Sequence, residues 1–101
     1  MILYGIVDLK SKGVQICFPS INDDTAIRSF EHTLFAPEDS IFNRSPEDFV
    51  LYRLADITCD PVPVLDSQVL AIRFGSEYSR DFITLKRHEA IEERRRILNN
   101  E

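Results

Sequence analysis

The chain has 101 residues, 44% of them hydrophobic and 29% charged, and a formal net charge of −5. That length supports one domain with a modest core, and the apolar share argues against a disordered chain. No apolar run approaches the roughly 20 residues a membrane-spanning helix needs, and a protein that coats phosphate generically would be basic. The charge is unevenly spread: residues 1–76 carry 6 Lys/Arg against 11 Asp/Glu, and residues 77–101 carry 6 against 6. Any nucleic-acid role therefore has to use a local patch. Cys17 and Cys59 make no metal-binding spacing with His32 and His88, and read as reduced core thiols.

Residues 2–9 predict a first strand, with Ile2, Tyr4 and Ile6 on one face and Leu3, Val7 and Leu9 on the other. Lys10-Ser11-Lys12-Gly13 is a polar connection in which Gly13 is free to take positive φ. Val14, Ile16 and Phe18 then alternate with Gln15 and Cys17, which predicts a second strand paired antiparallel with the first and stopped by Pro19. Asn22-Asp23-Asp24 is a helix start, since short acceptors and acidic groups suit an N-terminus. Ala26, Ile27, Phe30 and Leu34 follow on one helical face, and Pro37 ends that helix.

Ser45-Pro46-Glu47-Asp48 predicts a capped turn, with Ser45 as N-cap, Pro46 at the first position and Asp48 reaching back. A third strand follows over about 49–58, apolar on both faces and therefore central. Asp60-Pro61-Val62-Pro63 breaks it. Val69–Phe74 predicts a fourth strand, ended by Gly75-Ser76. Ser76 or Ser79 starts a last helix that runs to about Asn99, with Glu92 and Arg96 spaced for an ion pair. The order is ββαββα, an α+β fold with a small antiparallel sheet: a compact core over 1–76, and a long C-terminal helix over 77–101 that packs on the core or on a second subunit.

Three segments carry a resemblance. The best-marked is Phe42-Asn43-Arg44-Ser45-Pro46-Glu47-Asp48-Phe49-Val50-Leu51-Tyr52-Arg53-Leu54. Before it come Val7-Asp8-Leu9-Lys10-Ser11-Lys12 with the aromatic-Pro pair Phe18-Pro19, and Asn22 with Ala26-Ile27-Arg28-Ser29-Phe30. Together, over about residues 4–57, they resemble the small nonstructural protein of gokushovirus-type Microviridae phages. Ala55-Asp56-Ile57 departs from the Gly-x-Phe-Asp continuation usual in that family. The resemblance implies a phage protein in the host cytoplasm that binds DNA, most plausibly single-stranded, around genome synthesis or packaging. It implies no catalytic site.

The residues themselves offer two kinds of nucleic-acid contact. Lys86, Arg87, Arg94, Arg95 and Arg96 are the densest positive charge on the last helix and can meet phosphates. The alternative is a solvated face neutralised by Glu89, Glu92 and Glu93. Tyr4, Tyr52 and Phe74, near Arg53, Arg73, Lys10 and Lys12, can stack bases; the alternative is that these aromatics fill the core. The acidic groups Asp23, Asp24, Glu38, Asp39, Glu47 and Asp48 read as capping, as solubility, or as a face for a basic partner.

The apolar stripe Ile83, Ile91 and Leu98 is thin for a long helix, which predicts a self-association seam and a homodimer or higher oligomer. With glycine only at positions 5, 13 and 75, no phosphate loop is possible. Neither histidine has a nucleophile or carboxylate at motif spacing, so no enzyme, cofactor or metal is expected. The expected partners are DNA, further copies of the chain, and phage replication or packaging proteins, with no membrane. The alternative function is an acidic oligomeric module that docks a phage or host protein without touching DNA.

Overall fold

The computed structural model describes residues 1–56 and 69–99. It is an α+β fold: four antiparallel strands in the order β2-β1-β3-β4, with helices packed on one side. The strands are β1 (Ile2–Asp8), β2 (Gly13–Ser20), β3 (Phe49–Asp56) and β4 (Leu70–Phe74). The helices are α1 (Asp23–Leu34), the single turn α2 (Ile41–Arg44) and α3 (Arg80–Asn99).

The core lies between one sheet face and α1. Period-2 alternation turns Tyr4 and Ile6 of β1, and Phe49 and Leu51 of β3, to the same side. There they meet Ala26, Phe30 and Leu34, which α1 presents at helical spacing. Each large side chain buried in this way contributes about 1.5–3 kcal/mol. Phe18, Ile27, Phe35, Phe42, Ile72 and Tyr78 close the edges of this core. On the opposite face Leu3, Val14, Tyr52, Leu54 and Phe74 have no described helix over them, and Val14 and Phe74 are 52% and 42% exposed.

Local chemistry explains the boundaries. Asn22 caps α1 as expected, its Oδ1 accepting from Thr25 N at 2.8 Å. Ser79 Oγ likewise accepts from Phe82 N at 3.1 Å at the start of α3. Pro19 sits inside β2 instead of ending it. An edge strand leaves one row of backbone groups unpaired, so a missing N–H costs little there.

Three further expectations are corrected. Ser45 makes no side-chain cap; Pro46–Asp48 is a 3-10 turn held by the bond from Asp48 N to Ser45 O. The capping falls five residues earlier, where Asn43 Oδ1 accepts from Ser40 N at 3.0 Å and Asn43 Nδ2 donates to Glu38 O at 2.7 Å. A buried amide that meets three backbone groups outweighs a hydroxyl left in water. The residue with positive φ in the first hairpin is Lys12, at φ 60°, because Gly13 already belongs to β2. Cys17 is an exposed free thiol on the edge strand, not a core thiol. Cys59 and the break at Asp60-Pro61-Val62-Pro63 lie outside the described residues.

Two tyrosines tie helices to the sheet. Tyr4 donates to Asp23, which also pairs with Arg53, so the start of α1 is fastened to β1 and β3. Tyr78 donates to Glu31 Oε2 at 3.1 Å. Burial, with the neighbouring carboxylate, pushes each phenol up to about 12. A raised folded-state value means stability that is complete below the ordinary phenol value of 10 and is lost as pH climbs towards 12. We therefore expect the thermal midpoint to hold steady up to about pH 9.5 and then fall steeply. Tyr4→Phe should flatten that fall, and an unchanged slope would show that Tyr4 is free to ionise in the folded protein. The Asp23 carboxyl is held below its usual range, first by the Tyr4 hydroxyl and then by Arg53. Its contribution has the opposite sign, present above the ordinary carboxylate value and lost as acid protonates it.

Candidate nucleic-acid interface

α3 is twenty residues long, a rod of about 30 Å at 1.5 Å per residue. Its side towards the body is not a simple apolar stripe. Ile83 is enclosed at 2% exposure. One turn on, Arg87 Nε donates to Ala36 O at 3.0 Å and Arg87 Nη2 to Pro37 O at 3.2 Å. Two turns further Arg94 pairs with Glu38, whose carboxyl it holds below the usual range. Lys86 lies 3.5 Å from Glu89 Oε2 and 5.5 Å from the centroid of the Phe82 ring.

The five cations expected to form one basic face therefore divide. Arg87 is half-buried against the loop after α1, and Arg94 makes an exposed pair with Glu38 of the same loop. Arg95 and Arg96 lie beyond the last of these contacts, exposed, and among the described residues neither has a hydrogen-bond or ion-pair partner. The pair expected between Glu92 and Arg96 is not among the described ion pairs.

The other expected contacts are dispersed around the sheet. Lys10 Nζ lies 3.3 Å from Asp48 Oδ2, while Lys12 projects from the turn without a described partner. Arg53 faces α1 and is engaged by Asp23, at the opposite end of the sheet from that turn. Tyr4 is fully buried, as the core alternative had it. Tyr52 is half-buried on the helix-free face and pairs with Ala71, two positions along β3 from Val50, which pairs with Phe74. The oligomer stripe also divides: Ile83 is enclosed, Ile91 is half-buried, and Leu98 is 61% exposed.

Folding brings together two cations that spacing did not single out. Arg44, at the end of α2, and Arg80, in the first turn of α3, line one cavity with Arg87. They are 36 positions apart in the chain, so no window of sequence shows them as neighbours. A second cavity, a groove of about 550 Å³, runs between the end of α1 and α3. Phe35, Pro37 and Phe82 line it, with Arg28, Lys86 and Glu89 among the charged residues around them. Among the described residues no group of His, Cys, Asp or Glu is placed to hold a metal, and no helix is long and apolar enough to cross a membrane.

Fold and surface together define a small α+β protein with one helix-free sheet face and a long helix whose outer end is positively charged. The chain belongs to the Phage ORF5 protein family, whose family model matches residues 1–60. The match takes in β1, β2, α1, α2 and the whole of β3, and leaves β4 and α3 outside it. No curated protein and no solved structure matches the chain.

Proposed function

We propose that this phage protein is noncatalytic and binds DNA, single strands by preference, as a homo-oligomer of the Microviridae type acting in genome synthesis or packaging in the host cytoplasm. The observation that carries the reading is the pair Arg95 and Arg96: two guanidinium groups without a described carboxylate partner, at the outer end of a helix whose Arg87 and Arg94 are already engaged. Phosphate neutralisation needs cations that do not first have to leave an internal partner. Tyr52 and Phe74 on the helix-free face add rings on which unpaired bases can stack. Of the stripe Ile83, Ile91 and Leu98, the last two, seven residues apart on α3, remain for a seam between copies, which would set several arginine pairs in one track.

Fluorescence anisotropy with a labelled oligo-dT at two salt concentrations tests this. The wild type should bind, and weaken steeply as salt rises. Changing Arg95 and Arg96 together to Ala should lower the magnitude of the salt slope by up to about two, nearly one per lost contact, with the fold unchanged. Binding that is indifferent to both salt and the double change would overturn the assignment.

The groove between α1 and α3 favours a second reading. Its aromatic lining and mixed-charge surroundings suit a protein segment, as expected of an acidic module that docks a phage or host protein. A wild type that ignores DNA even at low salt would decide for it.

A further inference from the structure

We propose that the cavity between α2 and the first two turns of α3 is a phosphate-binding pocket. Its volume is about 280 Å³, and it is lined by Asn43, Arg44, Arg80, Ile83, Thr84 and Arg87. Three of those six residues are arginines and none is acidic.

Each guanidinium is held from outside the cavity. Arg44 Nε donates to Ser40 O at 3.2 Å and lies 3.6 Å from Asp39 Oδ1. Arg80 Nη2 is paired with Glu47, whose carboxyl is held below its usual range first by its own backbone N–H and then by Arg80. Arg87 is held only by the neutral carbonyls of Ala36 and Pro37. Three positive charges thus meet two carboxylates, and the cluster keeps one charge uncompensated. An arginine has five N–H donors in a planar fork. The bonds made by Arg87 use its Nε and one hydrogen of Nη2, which leaves three donors free.

The backbone bonds also fix the geometry before any ligand arrives. Asn43 spends its amide on Ser40 N and Glu38 O, so the turn that carries Arg44 is rigid. Ile83 is buried beneath the site, and Thr84 Oγ1 donates to Arg80 O at 2.9 Å, leaving its lone pairs rather than a donor towards the cavity. What the pocket offers a ligand is therefore a fork of N–H groups and net positive charge. A tetrahedral oxyanion matches that set, because several oxygens can each take a charge-assisted bond.

Phosphate reaches such a site either as a phosphodiester in a nucleic-acid chain or as a free phosphate. The first source rests on the DNA reading above; the pocket itself rests on its own geometry. Lys10, Lys12 and the first turn of α3 lie at the same end of the sheet, joined through Glu47 and Asp48. A strand seated in the pocket would therefore run past the hairpin.

The test follows the arginine Nε–Hε signals of the full chain by NMR at low salt, titrated separately with inorganic phosphate and with oligo-dT. Phosphate should shift Arg44, Arg80 and Arg87 together in a saturable way, and chloride at equal ionic strength should not. The variant R44Q/R80Q keeps the carbonyl bonds of Arg87, and so the fold. It should weaken phosphate binding about tenfold or more, the effect of losing one or more charge-assisted bonds. No joint shift, or an equal response in R44Q/R80Q, overturns the pocket. If oligo-dT produces the same shifts and phosphate competes with it, the phosphodiester is the source. Shifts with inorganic phosphate but not with oligo-dT identify a free phosphate; the pocket then stands, and the DNA reading is decided by the Arg95 and Arg96 double change alone. DNA binding that depends on Arg95 and Arg96, with the three signals unmoved by inorganic phosphate as well as by oligo-dT, removes the pocket and keeps the DNA reading.

Discussion

Gly75→Ala should be the most damaging single methyl that can be added to this protein. A Cβ at position 75 would sit 1.8 Å from Pro46 O, 2.7 Å from Pro46 C and 3.0 Å from Phe49 O, all of them backbone atoms. Real Cβ atoms do not approach that closely, and no rotamer change can relieve a clash with main chain. The 3-10 turn over Gly75–Glu77 must then move off the turn over Pro46–Asp48. Those two turns set where β4 ends and where α3 begins, so the displacement spreads to the pairing of Val50 with Phe74 and to the ion pair between Arg80 and Glu47. We expect a loss of roughly 4 kcal/mol or more, in the range reserved for backbone collision and broken cores. Gly5→Ala is the control. Its Cβ would meet Leu54 Cδ1 at 2.7 Å, the far end of a side chain that can turn aside. Urea denaturation of the two variants should therefore differ sharply, and a Gly75→Ala midpoint as high as that of Gly5→Ala would show that the turns are not in contact.

Phe30→Ala is the second large effect. Phe30 is fully buried in the middle of α1, packed against the sheet side chains of the core, with its ring centroid 6.5 Å from that of Tyr78. Tyr78 continues to Phe35 and Phe82, at centroid distances of 5.6 Å and 6.4 Å. One ring thus joins the sheet, α1 and the root of α3. Truncating it removes apolar contact and leaves a cavity whose walls, strand and helix backbone, collapse poorly, at a cost of about 3–5 kcal/mol. A domain of this size has only about 5–15 kcal/mol in total. With a urea m-value of about 1–3 kcal/mol/M, the midpoint should fall by roughly 1 M or more. A shift much smaller than that would mean α1 is only loosely seated on the sheet.

The four strands, α1 and α3 in their order, with spans to within about two residues, and the cap at Asn22 follow from the sequence alone; the single turn α2, too short to show a helical period, does not. Each depends on neighbours in the chain: alternation in the strands, the 26–27–30–34 face of α1, and short polar acceptors ahead of each helix. Membership of a phage family was likewise legible over the stretch that ends with β3. Ser45 shows the limit of such reasoning. Its spacing to Asp48 fits a cap, but Asn43 reaches three backbone groups of the preceding loop, and that competition is invisible in the motif.

What only the tertiary structure decided is which charges are already engaged. Read along α3, Arg87, Arg94, Arg95 and Arg96 are alike. Packing turns the first two onto Ala36, Pro37 and Glu38, fifty or more positions earlier in the chain, and leaves the last two outside. Arg53 is equally ordinary in the sequence until α1 places Asp23 beside it. Ion pairs and anion pockets form between segments distant in the chain, and a charge does not announce its partner through periodicity as an apolar residue announces its face. The α+β fold was therefore readable from local pattern, while the arginine cluster of Arg44, Arg80 and Arg87 came into being only when α2 and α3 met.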